Sequence, residues 1–518
     1  MTTEKPVLAP GLLASNGVAH EPLEEPHLTD SGNAIRYAKD HRGRVLYCPS
    51  RGWLVWDQQR FALDRTGLTM YLTGQTVAGI YAEAGYVSDP KERRRLAEHA
   101  LKSEAEPRRR AMLNLAASEP GIPVLESQLD TNRYYLNLAN CTYDLREFKA
   151  HPHRPEDLLS KVAPVNYDPD AQCPRFMTFM GRIFAARTTL IEFMQRVIGY
   201  CLTGDVSERC FFVLWGTGAN GKTTLLKVVS WLLGDYAAWT RAETFMPKRM
   251  ETIPSDVAAL ASARFVIAAE SERGQRLAEA LVKQVTGDDR ITARFLHRDF
   301  FTFDPVFKLV IASNYKPVIR GTGQAIWSRV KLVPFTVTIP PEEQDLHLAE
   351  ALRDELPGIL NWAIAGCREW QKGGLRTPPE VEDATQTYFA EMDVLGDFLR
   401  EKCFAEKAAS ITVATLYEKY CEWAHLNNEK PISKKALGML LQERGFIPKP
   451  TRDGRTWRGL RLRGIDDPEP CVDALTHGDA FSKTPLMSAR KEENPQNTST
   501  HVNTSTEPDE VLPAWVME

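Results

Sequence analysis

The sequence has no long hydrophobic run and no closely paired cysteines. Its nine cysteines form no C-x-x-C pair, which argues against a zinc ribbon or a dithiol redox motif. No stretch approaches the roughly 18 uninterrupted apolar residues of a transmembrane helix, so we expect no contact with a membrane. An odd number of cysteines without a signal peptide is typical of a reducing compartment, and we expect a cytoplasmic protein.

The chain also lacks a strong excess of charge of either sign. Its formal net charge is −4, which excludes a protein that coats nucleic acid over its whole surface, so any DNA contact must use local basic patches. With 43% hydrophobic and 25% charged residues, large hydrophobic cores can form. A length of 518 residues is typical of about two or three domains.

A glycine-rich loop between a predicted strand and a predicted helix is the most informative motif. The apolar run Phe211–Trp215 predicts a buried strand, and the loop after it reads GTGANGKT, with the spacing G-x-x-x-x-G-K-[ST]. Apolar residues from Leu225 to Val229 continue as a helix. Because the loop N–H groups and the positive helix end can both face phosphate oxygens, the motif predicts a phosphate site.

We expect this loop to bind ATP and Mg²⁺. Lys222 can reach the β- and γ-phosphates, and the Thr223 hydroxyl can ligate Mg²⁺. The glycines allow the backbone to approach the phosphates closely. The expected nucleotide-binding residues are Gly216, Thr217, Gly218, Ala219, Asn220, Gly221, Lys222, Thr223 and Thr224.

A second predicted strand, Phe265–Ala269, ends in carboxylates. Glu270 and Glu272 follow it, and we expect this strand beside the first, as phosphate-loop ATPases require. One acid helps to hold Mg²⁺ and the other can polarise the attacking water. We place Glu270 with Thr223 in the metal site, while the sequence leaves open which glutamate binds metal and which acts as the base.

Two further strands carry candidate catalytic residues at their ends. Asn314 follows the apolar run Leu309–Ala312, and ligands of open α/β sheets bind at such carboxyl ends, so we expect Asn314 to sense the γ-phosphate or to position water. Arg329 precedes the apolar run Val330–Phe335. In ring-forming ATPases such an arginine stabilises transition-state charge in the neighbouring subunit's site. The alternative for Arg329 is a surface ion pair.

Two stretches are candidates for contact with DNA. Residues 291–303 predict a hairpin with a cationic tip that could hold one phosphate of a single strand, although an isolated hairpin of this kind is more often only a turn. Basic residues dominate 430–463, which suggests duplex or origin DNA, with a solvated basic face as the alternative. The DNA-binding candidates are Arg294, His297, Arg298, Lys434, Lys435 and Arg458.

The rest of the chain predicts flanking modules. A hairpin over residues 45–56 and a helical, arginine-rich stretch over 72–117 precede short strands near 134–145 and a helical collar over 176–203. After the ATPase core we expect helices over Gly358–Trp370, Asp383–Cys403, Val413–Asn427 and Lys434–Arg444, and a strand near residues 457–462. The expected domains are a flexible arm (1–29), an N-terminal α+β region ending in the collar (30–204), the ATPase core (205–345), a helical and winged-helix-like DNA-binding region (346–465) and a disordered tail (466–518).

These motifs together resemble superfamily 3 helicases, and more closely the primase–helicase family of phages, plasmids and poxviruses. The matching segments are GTGANGKTT (216–224), FVIAAESE (265–272), VKQVTGDDRITAR (282–294), FKLVIASNYKP (307–317) and AIWSRVKLVPF (325–335). Upstream, NLANCTYDL (137–145), VNYDPDAQCPRF (165–176) and IGYCLTGDVSE (198–208) also match, as does GLRTPPEV (374–381) downstream.

The resemblance implies an α/β phosphate-loop ATPase of AAA+-like superfamily 3 type. It further implies a homo-oligomeric ring, a hexamer, that hydrolyses ATP with Mg²⁺ and moves 3′-to-5′ on single-stranded DNA in phage, prophage or plasmid replication, within the bacterial host cytosol. By motif, Lys222 and Thr223 bind nucleotide and metal, Asn314 is the sensor and Arg329 acts in trans. No Asp-x-Asp with histidine set supports priming. The alternative function is an origin-binding or assembly protein whose ATPase only switches its conformation.

Overall fold

The computed structural model describes residues 27–247, 255–269, 274–287, 289–294, 300–321, 323–427, 429–451, 454–464 and 467. The chain divides into two compact units, Met1–Asp397 and Phe398–Glu518. Of the expected arm and tail, all but residues 27–29 and Asp467 lie outside the described residues. The domain limits drawn from the sequence stay predictions.

The described chain begins with four helices and a three-stranded antiparallel sheet. The elements are α1 (Asp30–Asp40), β1 (Val45–Cys48), β2 (Gly52–Trp56), β3 (Phe61–Leu63), α2 (Leu68–Tyr86), α3 (Pro90–Ser103) and α4 (Glu106–Ala116). The Thr29 hydroxyl caps α1 by accepting the N–H of Gly32 at 3.1 Å. The expected hairpin is confirmed, with Val45 opposite Val55 in β1 and β2.

A second small sheet and two collar helices follow. They are β4 (Tyr135–Asn137), β5 (Thr142–Asp144), β6 (Lys149–His151), α5 (Pro174–Ile183) and α6 (Thr188–Cys201). The collar is helical as expected, but a turn with positive φ at Ala185 and Ala186 divides it into two helices. Gly199 of α6 lies against a later helix, where an added Cβ would come within 2.1 Å of the Cys367 nitrogen, so the two helices pack at backbone distance.

A five-stranded parallel sheet forms the centre of the first unit. Its region contains β7 (Phe211–Trp215), α7 (Lys222–Leu233), β8 (Ala237–Arg241), α8 (Ser255–Ala258), β9 (Phe265–Ala269), α9 (Glu279–Val285), β10 (Ile291–Arg294), β11 (Phe300–Phe303), β12 (Lys308–Ser313), α10 (Gln324–Trp327) and β13 (Val330–Pro334). The strand order is β13-β7-β12-β9-β8. The expectation that β9 lies beside β7 is wrong, because β12 pairs with both and separates them. The α/β class with a parallel sheet is confirmed.

Successive residues of β7 face two different hydrophobic cores. Phe212 and Leu214 pack in a core shared with α6 and α7, whereas Phe211 and Val213 pack in a core shared with α9. Neighbouring strand residues point to opposite faces, and here both faces are covered. This is why β7 is a continuous apolar run rather than an alternating one.

Two cations are buried where β9 and β12 begin. Arg264 donates to the carbonyl oxygens of Leu202 (2.6 Å) and Tyr135 (2.7 Å). Lys308 is 1% exposed, donates to the Asp205 carbonyl at 3.2 Å, and burial lowers its pKa to about 7. Both side chains bind the amino ends of the central strands to the segments that precede the ATPase core.

Helices complete the first unit and lead into the second. They are α11 (Leu348–Arg353), α12 (Leu356–Gly373), α13 (Pro379–Met392) and α14 (Val394–Lys402). The prediction of a single helix over Asp383–Cys403 is wrong, because the helix is interrupted at Asp393. The Oδ1 atom of Asp393 accepts the N–H of Gly396 at 2.9 Å. Each helix among the described residues is too short or too polar to cross a bilayer.

The second unit is built on a three-stranded antiparallel sheet. Its elements after α14 are β14 (Cys403–Thr412), α15 (Val413–Leu426), α16 (Lys434–Glu443), β15 (Pro448–Thr451) and β16 (Gly454–Leu462). The strand order is β14-β16-β15, so β16 is central. The two expected helices and the final strand are confirmed, whereas sequence analysis missed β14.

Candidate nucleotide-binding site

The glycine loop lies between β7 and α7, at the carboxyl end of the central sheet. Gly221 has a φ of +80°, and an added Cβ there would come within 2.4 Å of Ile183 Cγ2 in the collar. A Cβ on Gly216 would come within 2.3 Å of the Phe335 carbonyl oxygen. Close packing on two sides therefore requires glycine at both positions.

Lys222 is the first residue of α7, and its amine is held inside the loop. Nζ donates to the Gly216 carbonyl at 2.7 Å, to Asn220 Oδ1 at 3.1 Å and to Asn314 Oδ1 at 3.4 Å. Lys222 is only 6% exposed, and this burial lowers its pKa. All three acceptors are neutral oxygens, so they do not compensate the charge of the amine as an anion would.

The structure brings two separately predicted residues together at this point. Asn314 follows β12, which pairs with β7 in parallel register, so both strands end at the same edge of the sheet. Asn314 is exposed, and its amide oxygen is the one that Lys222 contacts. The arrangement can present an amine and an amide to one bound group.

The first turn of α7 presents a hydroxyl beside the amine. Thr223 is exposed at the second position of the helix, where the helix N-terminus favours anions. Thr217 and Ala219 are also exposed, whereas Asn220 is buried. A phosphate chain fits this set of donors, and a threonine hydroxyl is a suitable Mg²⁺ ligand beside it.

The acidic partners expected for the metal follow β9 in the sequence. Glu270 and Glu272 lie outside the described residues. β9, which precedes them, pairs in parallel with β12, with Ala269 opposite Ala312. Among the described residues no group of three histidines, cysteines or carboxylates could hold a metal by itself.

Sequence analysis missed the segment that holds the glycine loop in place. The Phe335 N–H donates to the Trp215 carbonyl at 2.7 Å, and the Ile339 N–H donates to the Ala219 carbonyl at 2.7 Å. The buried Asn220 amide donates to the Phe335 carbonyl at 3.4 Å. Because these contacts mostly use backbone atoms, no pattern of side chains in the sequence predicts them.

Lys316 is a second residue whose position sequence analysis did not predict. Its ammonium lies 4.6 Å from the ring centroid of Trp215, the last residue of β7, and forms an ion pair with Glu391 of α13 at 2.7 Å. The loop after Asn314 is thereby fixed both to β7 and to α13. A lysine two residues after a strand-end asparagine is the only signal in the sequence.

Arg329 lies at the amino end of the parallel strands, opposite the carboxyl end where Lys222 lies. Its carbonyl accepts the N–H of Phe211, the first residue of β7, at 2.8 Å. The guanidinium donates to the carbonyls of Thr286 (2.9 Å) and Ala325 (3.1 Å). Since the two residues flank opposite ends of β7, one chain does not bring Arg329 to its own glycine loop.

The candidate DNA-binding residues lie in separate places. β10 and β11 form the expected antiparallel hairpin, with Arg294 exposed opposite Phe300, but His297 and Arg298 lie outside the described residues. In the second unit Lys434 and Lys435 are exposed at the start of α16 and Arg458 is exposed on β16.

Part of the basic excess in the second unit is neutralised. Arg461 pairs with Glu406 at 2.6 Å and with Asp467 at 2.5 Å. The sequence count of basic residues over 430–463 therefore overstates the charge that is available to a polyanion.

Two family models match parts of the chain. Residues 33–185 match a family described as D5 N terminal like, and residues 214–329 match a family of unknown function, DUF5906. The second match contains the glycine loop, Asn314 and Arg329.

Relatives in large DNA viruses match more than half of the chain. A protein of Acanthamoeba polyphaga mimivirus named "Putative helicase" is 26% identical over 325 residues, 58% of this chain and 34% of its own length. A "Putative helicase" of Invertebrate iridescent virus 6 is 23% identical over 366 residues, 61% of this chain and 37% of its own length. A "Putative primase" of African swine fever virus is 25% identical over 328 residues, 58% of this chain and 34% of its own length.

The chain is a relative of the primase–helicase family. The expected resemblance to the primase–helicase family is thereby confirmed. This primase–helicase relative spans about a third of the length of the curated relatives it matches. Among solved structures, the apo structure of the NrS-1 C terminal region matches with a TM-score of 0.38 and 10% identity, over 55% of this chain and 65% of that chain.

Proposed function

We propose that this primase–helicase relative is an ATP-dependent DNA helicase of superfamily 3 type that acts in the replication of a phage, prophage or plasmid. The observation that carries the proposal is the contact of Lys222 Nζ with Asn314 Oδ1 at 3.4 Å. A lysine after a glycine loop, facing a polar side chain from the next strand of the sheet, suits binding and cleavage of a terminal phosphate. The helicase names of the viral relatives support the same activity.

The loop would bind the phosphates of ATP. Lys222 now donates to three neutral oxygens, and phosphate oxygens would give the amine the counter-charge that these acceptors do not carry. Thr223 and Glu270 would hold Mg²⁺, which neutralises charge on the β- and γ-phosphates. One of Glu270 and Glu272 would polarise the attacking water, and Asn314 would position it.

Arg329 would complete the site of a neighbouring subunit. The residue lies at the edge of the sheet opposite its own glycine loop, held by the carbonyls of Thr286 and Ala325. In a head-to-tail ring that edge can face the next subunit's nucleotide. A hexamer of this kind would place six shared sites around a central channel.

Single-stranded DNA would pass through that channel, with movement 3′-to-5′. Arg294, His297 and Arg298 of the β10–β11 hairpin would contact its phosphates. The second unit would act as a winged-helix-like module, which its order of two helices, α15 and α16, followed by two strands, β15 and β16, supports. Its exposed Lys434, Lys435 and Arg458 would contact duplex or origin DNA.

A Lys222→Ala substitution tests the nucleotide site directly. The full chain is assayed for DNA-stimulated ATP hydrolysis and for unwinding of a forked duplex. The control is Lys91→Ala, which removes an exposed lysine that is distant in sequence from Lys222. We expect Lys222→Ala to abolish both activities and the control to keep both. Full ATP turnover in Lys222→Ala would refute the assignment.

The same unwinding assay separates the proposal from the alternative. A protein that binds origin DNA and hydrolyses ATP without separating strands would be a conformational switch rather than a helicase. Primer synthesis is measured on the same template with labelled nucleotides, and we expect none, although the relatives from African swine fever virus are named "Putative primase".

A further inference from the structure

A polar surface pocket lies at the amino edge of the central sheet, away from the glycine loop. It has a volume of about 360 Å³ and is lined by Thr131, Asn132, Arg133, Tyr134, Asp144 and Arg146. The Gly204 N–H donates to the Arg133 carbonyl at 2.6 Å, and the Tyr134 hydroxyl donates to Asp205 at 2.9 Å. These contacts attach the pocket to the segment that leads into the first residue of β7.

Two arginine side chains near this pocket are stacked on aromatic rings. The Arg146 guanidinium lies 4.3 Å from the ring centroid of Tyr134, and the Arg368 guanidinium lies 4.7 Å from that of Phe148. Arg146 and Phe148 belong to the same turn, between β5 and β6. Two exposed planar cations thus lie over aromatic rings at this turn, Arg146 from the turn itself and Arg368 from α12.

The turn is held rigidly. Asp144 Oδ1 accepts the N–H groups of Arg146 (2.7 Å) and Glu147 (3.2 Å), and the Gln371 amide donates to the Leu145 carbonyl at 2.7 Å. The Asp144 carboxylate also lines the pocket, and its Oδ1 accepts from these backbone N–H groups. Among the described residues neither Arg133 nor Arg146 forms an ion pair with a carboxylate, and both are exposed.

We propose that this pocket and the adjacent turn bind single-stranded DNA, with Arg133 and Arg146 contacting a phosphate and the stacked guanidinium planes receiving unpaired bases. Exposed guanidinium groups beside aromatic rings suit single strands, because unpaired bases can stack on such planes whereas the bases of a duplex cannot. A pocket of 360 Å³ is also of the size of a nucleotide unit rather than of a duplex groove.

This inference goes beyond the proposed function. It rests on that function only in taking DNA as the polymer that binds. It lies at the amino edge of the sheet, whereas Lys222 and Asn314 lie at the carboxyl edge. A strand bound here would be held outside the nucleotide site, at the point where the N-terminal region joins the ATPase core.

The test is binding of a fluorescent oligodeoxythymidine to the full chain, measured by anisotropy without nucleotide at several salt concentrations. We expect Arg133→Gln with Arg146→Gln to weaken binding roughly 5- to 150-fold, the range of base stacking losses. Loss of the contact with that one phosphate should also reduce the salt slope of log K by about 0.7. The matched control, Arg65→Gln with Arg95→Gln, removes the same charge from exposed arginines elsewhere and should leave both quantities unchanged.

Further variants separate the possible results. Arg146→Lys keeps the charge and removes the planar group, so it should keep the salt slope and lose part of the affinity. The proposal would be overturned if the pocket variant and the control lost the same DNA affinity. It would also be overturned if the pocket variant lost as much affinity for a competing duplex as for the single strand. Because DNA binding is measured without nucleotide, its result does not depend on ATP hydrolysis. If the wild-type chain hydrolyses no ATP but the pocket variant still loses DNA affinity as expected, only the proposed function is contradicted.

Discussion

Substitution of Arg329 tests whether the catalytic site is shared between subunits. β7 runs for five residues between the edge that carries Arg329 and the glycine loop, and strand residues rise about 3.3 Å each, so roughly 16 Å of sheet separates the two. An arginine side chain does not span that distance to phosphates bound beside Lys222. We therefore expect Arg329→Ala to lower ATP turnover by about 10³-fold or more while its own glycine loop stays intact.

The assay mixes two inactive variants, Lys222→Ala and Arg329→Ala, in equal amounts and measures ATP hydrolysis without DNA. In a shared site one subunit supplies Lys222 and its neighbour supplies Arg329, so random mixing restores both groups at about one quarter of the interfaces. If the interfaces act independently, activity returns to about one quarter of the wild-type rate. Each variant alone provides the baseline, and subunits are exchanged under conditions that first dissociate any ring.

A second mixture covers the case in which the interfaces fire in concert. Wild-type subunits are titrated with Arg329→Ala, and with half of the subunits substituted only about 2% of hexamers contain none of the variant. A concerted ring should then lose nearly all DNA-stimulated activity, well below proportion. No recovery in the first mixture together with a strictly proportional loss in the second would refute a shared site, because that pair of results is expected of monomers.

Three further predictions follow from single contacts. The pKa of Lys308 is about 7 in the folded protein and 10.5 ordinarily, so between pH 7 and pH 10.5 the unfolded chain binds one more proton than the folded chain. The free energy of unfolding of the wild type should therefore rise by up to ~1.4 kcal/mol per pH unit across that range, as measured by urea unfolding. Lys308→Met should remove this pH dependence. Gly79→Ala, at an exposed helical position with open space around its Cβ, should stabilise the fold by about 0.5–1 kcal/mol, whereas Gly221→Ala should destabilise it by about 1–3 kcal/mol through positive φ and contact with the collar. Asn314→Ala should lower kcat for ATP by about 10²-fold with little change in nucleotide affinity, measured by steady-state kinetics and equilibrium binding.

Each of these predictions has a result that would contradict it. Lys91→Met removes an exposed lysine and should leave the pH dependence of unfolding as it is; an unchanged slope in Lys308→Met would contradict the assignment. Equal stability changes in the two glycine variants would show that neither backbone conformation nor packing matters at these positions. A loss of nucleotide affinity equal to the loss of kcat would make Asn314 a binding residue rather than a positioning one.

Local patterns carried most of what the sequence predicted correctly. β7, the glycine loop and α7 are each specified by residues within the same short stretch, and the two predicted strands of the β10–β11 hairpin are adjacent in the chain. The order of strands in the sheet is a different kind of information. β12 lies between β7 and β9 because Val310 pairs with Phe212 on one side and with Ile267 on the other, and nothing in either stretch alone encodes that choice.

The errors beyond the core have one local and one long-range cause. The predicted helix over Asp383–Cys403 has good helical spacing, but Asp393 offers its carboxylate to a backbone N–H and ends one helix before the next begins. β14 was missed because it pairs with the distant β16, with a register shift between Ala405 and Ser410. Its sequence mixes alanines, charges and β-branched residues, which match no single period.

The candidate site shows why the two edges of one sheet differ in how far sequence reveals them. At the carboxyl end of the strands, Lys222 follows β7 through the glycine loop and Asn314 directly follows β12, so a loop motif and a rule about strand ends find them. At the amino edge, Arg264 and Lys308 come just before or at the first residue of a strand, and their partners are carbonyl oxygens of residues far away in the chain. Side chains that bind substrate carry a recognisable type and spacing, whereas side chains that join two regions are specified by the backbone they meet. This is why the glycine loop could be identified from sequence and the pocket around Arg133 could not.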